Sequence, residues 1–153
     1  MMKKGLLILL CLPMIGFGQN VNIPDANFKA YLVGNLAINT NGDTEIQVSE
    51  ATAFNGWMDC VGYAISDLTG IEAFTALTEL WCEFNQLTTL DVSNNTALTG
   101  LRCGSNQLTS LDVSNNTALN GLVCEVNQLT TLDVSNNTAF ICNVDIINSR
   151  AWM

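Results

Sequence analysis

The chain has 153 residues, with 14 acidic and five basic side chains and no histidine. Its formal charge of −9 repels phosphate backbones, so the composition excludes a nucleic-acid-binding protein. The commonest general acid–base residue is absent and the serines fall in predicted turns without a neighbouring base, so we expect no enzymatic activity. A carboxylate pair such as Glu79 with Glu83 would stand on an open surface, not in a cleft that excludes water.

Residues 1–18 have the pattern of a secretion signal. Lys3 and Lys4 precede the apolar run GLLILLCLPMIGF, and Gly16 and Gly18 offer small residues for cleavage before Gln19. A membrane anchor would need about twenty apolar residues, and Pro13 interrupts this run. We predict a secreted or cell-surface protein with no stable membrane insertion after cleavage. Removal of the two lysines, with no acidic residue, changes the formal charge from −9 to −11.

Residues 19–57 are predicted to form a small helical N-terminal cap. Phe28, Tyr31 and Leu32 share one face at helical spacing. Asp25, after Pro24, can begin this helix and Gly34 can end it.

The stretch NTNGDTEIQVSE, from Asn39 to Glu50, resembles an EF-hand-type or dockerin-type calcium loop. The resemblance implies a Ca²⁺ cofactor, with Glu45 contributing its backbone carbonyl. Two departures weaken the match: Asn39 stands where the first aspartate is usual, and Thr44 where the bend favours glycine. The alternative is a relic loop held by Asx turns between two helices of the cap. The implied ligands are Asn39, Asn41, Asp43, Glu45 and Glu50.

Residues 58–139 contain an internal repeat. The segment CEFNQLTTLDVSNNTAL begins at Cys82, and near-copies of it begin at Cys103 and Cys124. A period of 21 residues indicates a solenoid, in which each coil covers the apolar side of the next. Cys60 precedes Cys82 by 22 residues, so an earlier and longer coil is expected.

Each copy reads L-x-x-L-x-C-x-x-N-x-L, which resembles the leucine-rich repeat and, within it, the short repeats of secreted internalin-like bacterial proteins. The resemblance implies an α/β-type solenoid: a leucine-rich repeat coil with a parallel β-sheet on one face and a cap at each end. Residues 140–153 resemble the closing strand of that family and predict a short C-terminal cap, with truncation of a longer protein as an open alternative.

The repeated side chains are predicted to face inward. Leu80 and Cys82 alternate in a short strand, so the cysteines form an interior column and pack as small hydrophobes. A metal or redox site would need ligands such as histidine. Asparagines at the turn, Asn85, Asn106 and Asn127, can satisfy backbone groups there. The other predicted inward positions in one coil are Leu87, Leu90, Val92, Ala97 and Leu98. Five cysteines remain after cleavage, an odd number that cannot all pair within one chain, and the redox state of Cys60 and Cys142 stays open.

The residues that change between copies lie between the inward ones and form an outward face on three predicted strands, about 10 Å across. A constant scaffold around a varied row predicts binding of a partner protein or a surface glycan. The alternative is a structural or non-binding remnant of a larger repeat protein. A third reading uses the column of Thr88, Thr109 and Thr130 as a hydroxyl array for ice or polysaccharide. The predicted binding face comprises Glu79, Trp81, Glu83, Arg102, Val123 and Glu125.

Overall fold

The computed structural model describes residues 18–140. The predicted leader up to residue 17 and the predicted C-terminal cap from residue 141 onwards, with Cys142, lie outside the described residues. None of the helices in the described range is long and apolar enough to cross a membrane. In chain order the elements are α1 (Ala26–Gly34), α2 (Val48–Ala53), β1 (Trp57–Asp59), a 3-10 helix (Ile71–Ala73), β2 (Glu79–Trp81), β3 (Gly100–Arg102) and β4 (Gly121–Val123).

The helix predicted in the N-terminal cap is confirmed as α1. Asp25 Oδ1 accepts hydrogen bonds from the Asn27 and Phe28 amides, both at 2.9 Å, and so caps two of the free donors of the first turn. Its other oxygen accepts from the Ser66 amide at 2.9 Å, which ties the cap to the first coil. Phe28 and Leu32 are fully buried. Burial of this face fixes the cap against the end of the solenoid.

The four strands form one parallel sheet in the order β1-β2-β3-β4, which confirms the predicted solenoid. Met58, Leu80, Leu101 and Leu122 stand side by side in register and point into the core. The sheet has one strand more than the three expected, and β1 begins at Trp57, one residue before the predicted start of the repeats. This first strand lacks leucine, yet its Met58-x-Cys60 spacing matches Leu80-x-Cys82.

The cysteine column is confirmed. Cys60, Cys82, Cys103 and Cys124 are free thiols with no exposed surface. The Sγ atoms of Cys60 and Cys82 lie 3.4 Å from the carbonyl oxygens of Trp81 and Arg102, on the neighbouring strands. The column therefore packs as a continuous interior row between adjacent coils.

The predicted asparagine column at the turn is also confirmed. Asn106 Nδ2 donates to the carbonyls of Cys82 at 2.9 Å and Cys103 at 3.1 Å, and its Oδ1 accepts from the Leu87 amide at 3.0 Å. Asn85 and Asn127 make the equivalent bonds one coil earlier and one coil later. One amide therefore serves backbone groups in two coils.

A second asparagine column, on the return stroke, was not predicted. Asn116 is completely buried and its Nδ2 donates to the carbonyls of Val92 and Asn95, each at 2.9 Å. Asn95 and Asn137 repeat this pattern. Leu90 and Ala97, expected inside, are only half-buried. The tight return turn leaves carbonyls that need a donor, and an apolar side chain supplies none.

The first coil, which is one residue longer than the others, approaches the N-terminal segment at Gly70. Gly70 has a φ of +107°, and a Cβ there would lie 2.8 Å from Ile23 Cγ1 and 2.9 Å from the Asn22 carbonyl oxygen. Glycine is therefore required both by the left-handed backbone and by the close approach of the cap.

Candidate functional site

The outward side chains of the sheet form rows that run across the strands. One row across the strands consists of Trp57, Glu79, Gly100 and Gly121. The second row lies two residues further along each strand and consists of Asp59, Trp81, Arg102 and Val123. All six residues of the predicted binding face therefore lie on this side of the solenoid or just after its strands. None is fully buried, so each is available to a partner.

Three of these side chains stack. The ring centroids of Trp57 and Trp81 are 4.6 Å apart with an interplanar angle of 55°. On the Trp81 ring, Arg102 Cζ lies 4.3 Å from the centroid, a cation–π contact. Glu79 Oε2 accepts a hydrogen bond from Trp81 Nε1 at 3.1 Å. The Trp81 ring is therefore held from several sides, and the stack spans β1, β2 and β3.

Beside the stack lies a shallow hollow of about 260 Å³. Gly100 and Gly121 form part of its floor, while Trp81, Arg102 and Val123 are among the residues around it. A Cβ at Gly100 would lie 3.3 Å from Glu79 Cγ, so this glycine also leaves room for the Glu79 side chain. Arg102 is therefore one of the residues that border this open space.

The face is acidic around a single cation. Burial raises the pKa of Glu83; the nearby Arg102 lowers it, and Glu125 and Asp59 raise it again, so that the net shift is upward. Among residues 18–140 the recorded ion pair joins Lys29 to Glu45 at 2.6 Å, and Arg102 has no carboxylate at ion-pair distance. Its guanidinium also donates no hydrogen bond to any described residue. Arg102 is thus oriented by Trp81, and within residues 18–140 its guanidinium donors have no hydrogen-bond partner.

The thiols beneath this face have raised pKa values, which disfavour the reactive thiolate form. Burial raises the pKa of Cys60 to about 12, with the negative charge of Asp59 adding to the effect. Burial likewise raises the pKa of Cys82 well above its ordinary value, as does the neighbouring Cys103. Within the described part of the chain, no group of three or more cysteine, aspartate or glutamate side chains is arranged to hold a metal ion.

The predicted calcium ligands do lie in one loop, but their oxygens are occupied. Glu50 Oε1 accepts from the amides of Thr40 and Asn41, at 2.8 and 3.1 Å, and Oε2 accepts from the Gln47 amide at 3.0 Å. Burial raises the pKa of Glu50, but these hydrogen bonds outweigh it and the net shift is downward. The carboxylate acts here as the partner of a capping box for α2.

The side-chain oxygens of the other asparagine and aspartate residues in the loop are engaged in the same way. Asn39 Oδ1 accepts from the Gly42 amide at 3.0 Å, Asn41 Oδ1 from the Asp43 amide and Asp43 Oδ1 from the Glu45 amide, both at 2.8 Å. The left-handed bend falls at Gly42, with a φ of +71°, two residues before the position at which calcium loops carry glycine. This arrangement supports the alternative of a relic loop held by Asx turns. Calcium binding at these residues stays a prediction.

Comparison with known proteins gives matches over part of the chain. No protein-family model matches the chain. Internalin J of Listeria monocytogenes serotype 4b (strain F2365) is 44% identical over 73 residues, which make up 47% of this chain. The solved functional domain of InlJ from Listeria monocytogenes superposes with a TM-score of 0.68 at 41% identity over 80% of this chain, and it includes a cysteine ladder. The described repeats are internalin-like leucine-rich repeats.

The internalin-like chain matches only part of these relatives. It spans 8% of the length of internalin J and 27% of the solved InlJ domain. The internalin InlF of Listeria monocytogenes str. 4b F2365 has a TM-score of 0.64 over 82% of this chain and 37% of its own, at 24% identity, which shows the shared fold.

Two residues of the internalin-like sheet were missed from the sequence. Trp57 and Asp59 belong to β1 and extend the face by one strand, so the outer strands lie about 14 Å apart. The signal was present, because Trp57-x-Asp59 flanks Met58 as Glu79-x-Trp81 flanks Leu80. It was obscured because this coil has methionine in place of leucine and one additional residue.

Proposed function

We propose that this chain binds a partner protein through the outward face of its sheet, with Trp81 and Arg102 at the centre. The observation that carries the proposal is the Trp57–Trp81–Arg102 stack beside a hollow, with the guanidinium donors unused within residues 18–140. Tryptophan and arginine are the side chains that most often dominate binding interfaces. Around them stand the other residues of the face: Glu79, Glu83, Val123 and Glu125.

Internalin-like leucine-rich repeat proteins are in general protein-binding surface proteins, and this supports the same class of function here. The predicted signal at residues 1–18 supports a secreted or cell-surface location. The face spans about 14 Å between its outer strands, which is small beside a standard interface, so we expect weak, micromolar binding.

A quantitative pull-down tests this function. Immobilised wild type is compared with the double variant Trp81→Ala/Arg102→Ala and with the matched control Thr88→Ala/Thr109→Ala, whose exposed hydroxyls lie away from the strands. We expect the wild type and the threonine control to capture the same protein, and the tryptophan–arginine variant to lose at least about tenfold of it. Circular dichroism must show that all three are equally folded.

The other outcomes identify the alternatives. Loss of capture after periodate treatment of the partner would indicate a surface glycan as the ligand in place of polypeptide. Equal background capture by all three proteins, with no protein specifically enriched, would exclude the sheet face and support a structural, non-binding remnant.

A further inference from the structure

The turn that follows each strand contains an unusual backbone conformation. Gly62, Phe84, Ser105 and Val126 have φ values of +73°, +55°, +53° and +53°. They lie side by side, because the Phe84 amide donates to the Gly104 carbonyl at 3.1 Å and the Ser105 amide to the Glu125 carbonyl at 2.8 Å. In this left-handed region a Cβ crowds the following carbonyl oxygen, so glycine or asparagine is favoured. Phenylalanine and valine are among the least suited residues.

Burial does not account for the choice of these residues. Phe84 is 67% exposed and Val126 is 59% exposed, so neither offsets its backbone strain by packing into the core. Two coils separate them, and parallel strand spacing places them about 10 Å apart on the same edge. Large apolar side chains held outward at a cost in backbone energy indicate a role in binding.

The residue before each of them is acidic. Glu83 precedes Phe84 and Glu125 precedes Val126. Burial is the first cause of the raised pKa of Glu83; Arg102 lowers this pKa, and the nearby charges of Glu125 and Asp59 raise it again. The nearest cation, Arg102, is stacked on Trp81. A glutamate followed by an apolar residue therefore occurs twice along this edge, and the two occurrences are about 10 Å apart.

We propose that Glu83, Phe84, Glu125 and Val126 form a docking edge for a basic amphipathic segment of the partner protein, a proposal that rests on protein binding as the function. The charge of the edge determines the occupant: lysine or arginine side chains meet the two carboxylates, while apolar side chains contact Phe84 and Val126. A helix presents equivalent positions i and i+7 at about 10.5 Å, which matches the spacing. A second copy of this chain would bring the same acidic edge and be repelled, as would an anionic membrane.

A designed peptide provides the probe. A helical peptide of about 14 residues with leucine on one face and lysine on the other is titrated into the full chain at low ionic strength and followed by calorimetry. We expect a Kd on the order of 0.1 mM. We expect no detectable binding by a peptide with glutamate in place of lysine, or by a lysine peptide with serine in place of leucine.

Variants at the left-handed positions separate docking from folding. Phe84→Gly/Val126→Gly removes the apolar side chains and relieves the backbone strain, so we expect binding at least about tenfold weaker with a Tm equal to or above that of the wild type. Ser105→Gly relieves the same strain without removing an apolar side chain, and we expect its affinity to stay within about twofold of the wild type. Glu83→Gln/Glu125→Gln should weaken binding and reduce its dependence on salt.

The proposal is overturned if the lysine peptide fails to bind, or if it binds wild type and Phe84→Gly/Val126→Gly equally. It is also overturned if the glycine pair lowers the Tm by more than about 5 °C while Ser105→Gly does not, because the side chains would then serve the fold. Loss of natural partner capture in Trp81→Ala/Arg102→Ala alongside any of these results would leave the proposed function intact and reject the docking edge alone.

Discussion

At the scale of single residues, the cysteines behave as apolar side chains and not as reactive groups. Cys60, Cys82, Cys103 and Cys124 are completely buried, and burial is the first cause of the raised pKa of each. A thiol reagent reacts with the thiolate, so a shift from the ordinary pKa of 9.0 to about 12 lowers the reactive population of Cys60 roughly a thousandfold at pH 8. Burial blocks access in addition.

We therefore expect Cys82 and Cys103 to resist a thiol reagent in the folded protein at pH 8. Labelling should occur at the rate of unfolding, and all thiols should react within minutes in guanidinium chloride. The measurement is mass spectrometry of the alkylated chain with and without denaturant. Prompt labelling of either residue in the folded state would show that the cysteine column is not a closed interior row.

At the scale of elements, the segment from Asn39 to Glu50 is organised as the connection between α1 and α2. The side chains of Asn39, Asn41, Asp43 and Glu50 already accept hydrogen bonds from the same loop, and Glu50 is only 8% exposed. The lowered pKa of Glu50 means that its carboxylate stabilises the folded state above its ordinary pKa of 4.5, and that this stabilisation is lost as the pH falls through the folded pKa.

Glu50→Gln should lower the free energy of unfolding by about 2 kcal/mol at pH 7 without any metal, because three amides and the Thr40 hydroxyl lose a charged acceptor. The variant should also lose less stability than the wild type as the pH falls below about 4.5. Glu45→Gln, which breaks the half-exposed ion pair to Lys29, is the matched control with an effect below about 1 kcal/mol. Urea titrations measure both.

Stability measurements with added calcium distinguish the relic loop from a calcium site. We expect millimolar CaCl₂ to leave the Tm of the wild type unchanged relative to an equal ionic strength of NaCl. A rise in Tm that is specific to calcium and absent in Glu50→Gln would instead establish the calcium site predicted from the sequence.

At the scale of the whole molecule, the two asparagine columns add side-chain hydrogen bonds to the backbone hydrogen bonds that join neighbouring coils. Asn106 satisfies groups of Cys82, Cys103 and Leu87, which belong to two coils. Because each coil is stabilised by its neighbours, loss of one central asparagine weakens the contact between the two coils that it joins.

Asn106→Ala should therefore lower the free energy of unfolding by about 2–4 kcal/mol, since a buried amide and at least two carbonyls lose their partners. Asn94→Ala changes an exposed asparagine of the same repeat and should cost less than about 0.5 kcal/mol. Chemical denaturation followed by circular dichroism compares them. Equal effects would mean that the column is not what joins the coils.

Much of the solenoid was predictable because the same pattern of inward-facing and turn residues occurs in several copies. An alternation such as Leu80-x-Cys82 needs only the period of a strand to be placed inside, and Asn106 needs only a turn with unpaired backbone groups. The helix after Asp25 likewise follows from its cap and its spacing. The residues of the proposed binding face follow by exclusion, since they are what remains outside.

By itself the sequence determined the period, the parallel sheet, the cysteine column and the side of the sheet on which Trp81 and Arg102 stand. Only the tertiary structure decided the stack with Trp57, the buried Asn116 column and the left-handed backbone of Phe84 and Val126. These features join unlike residues across coils or depend on backbone angles that many sequences can adopt. A repeat pattern specifies what each coil buries, whereas contacts between coils are fixed only once their register is set.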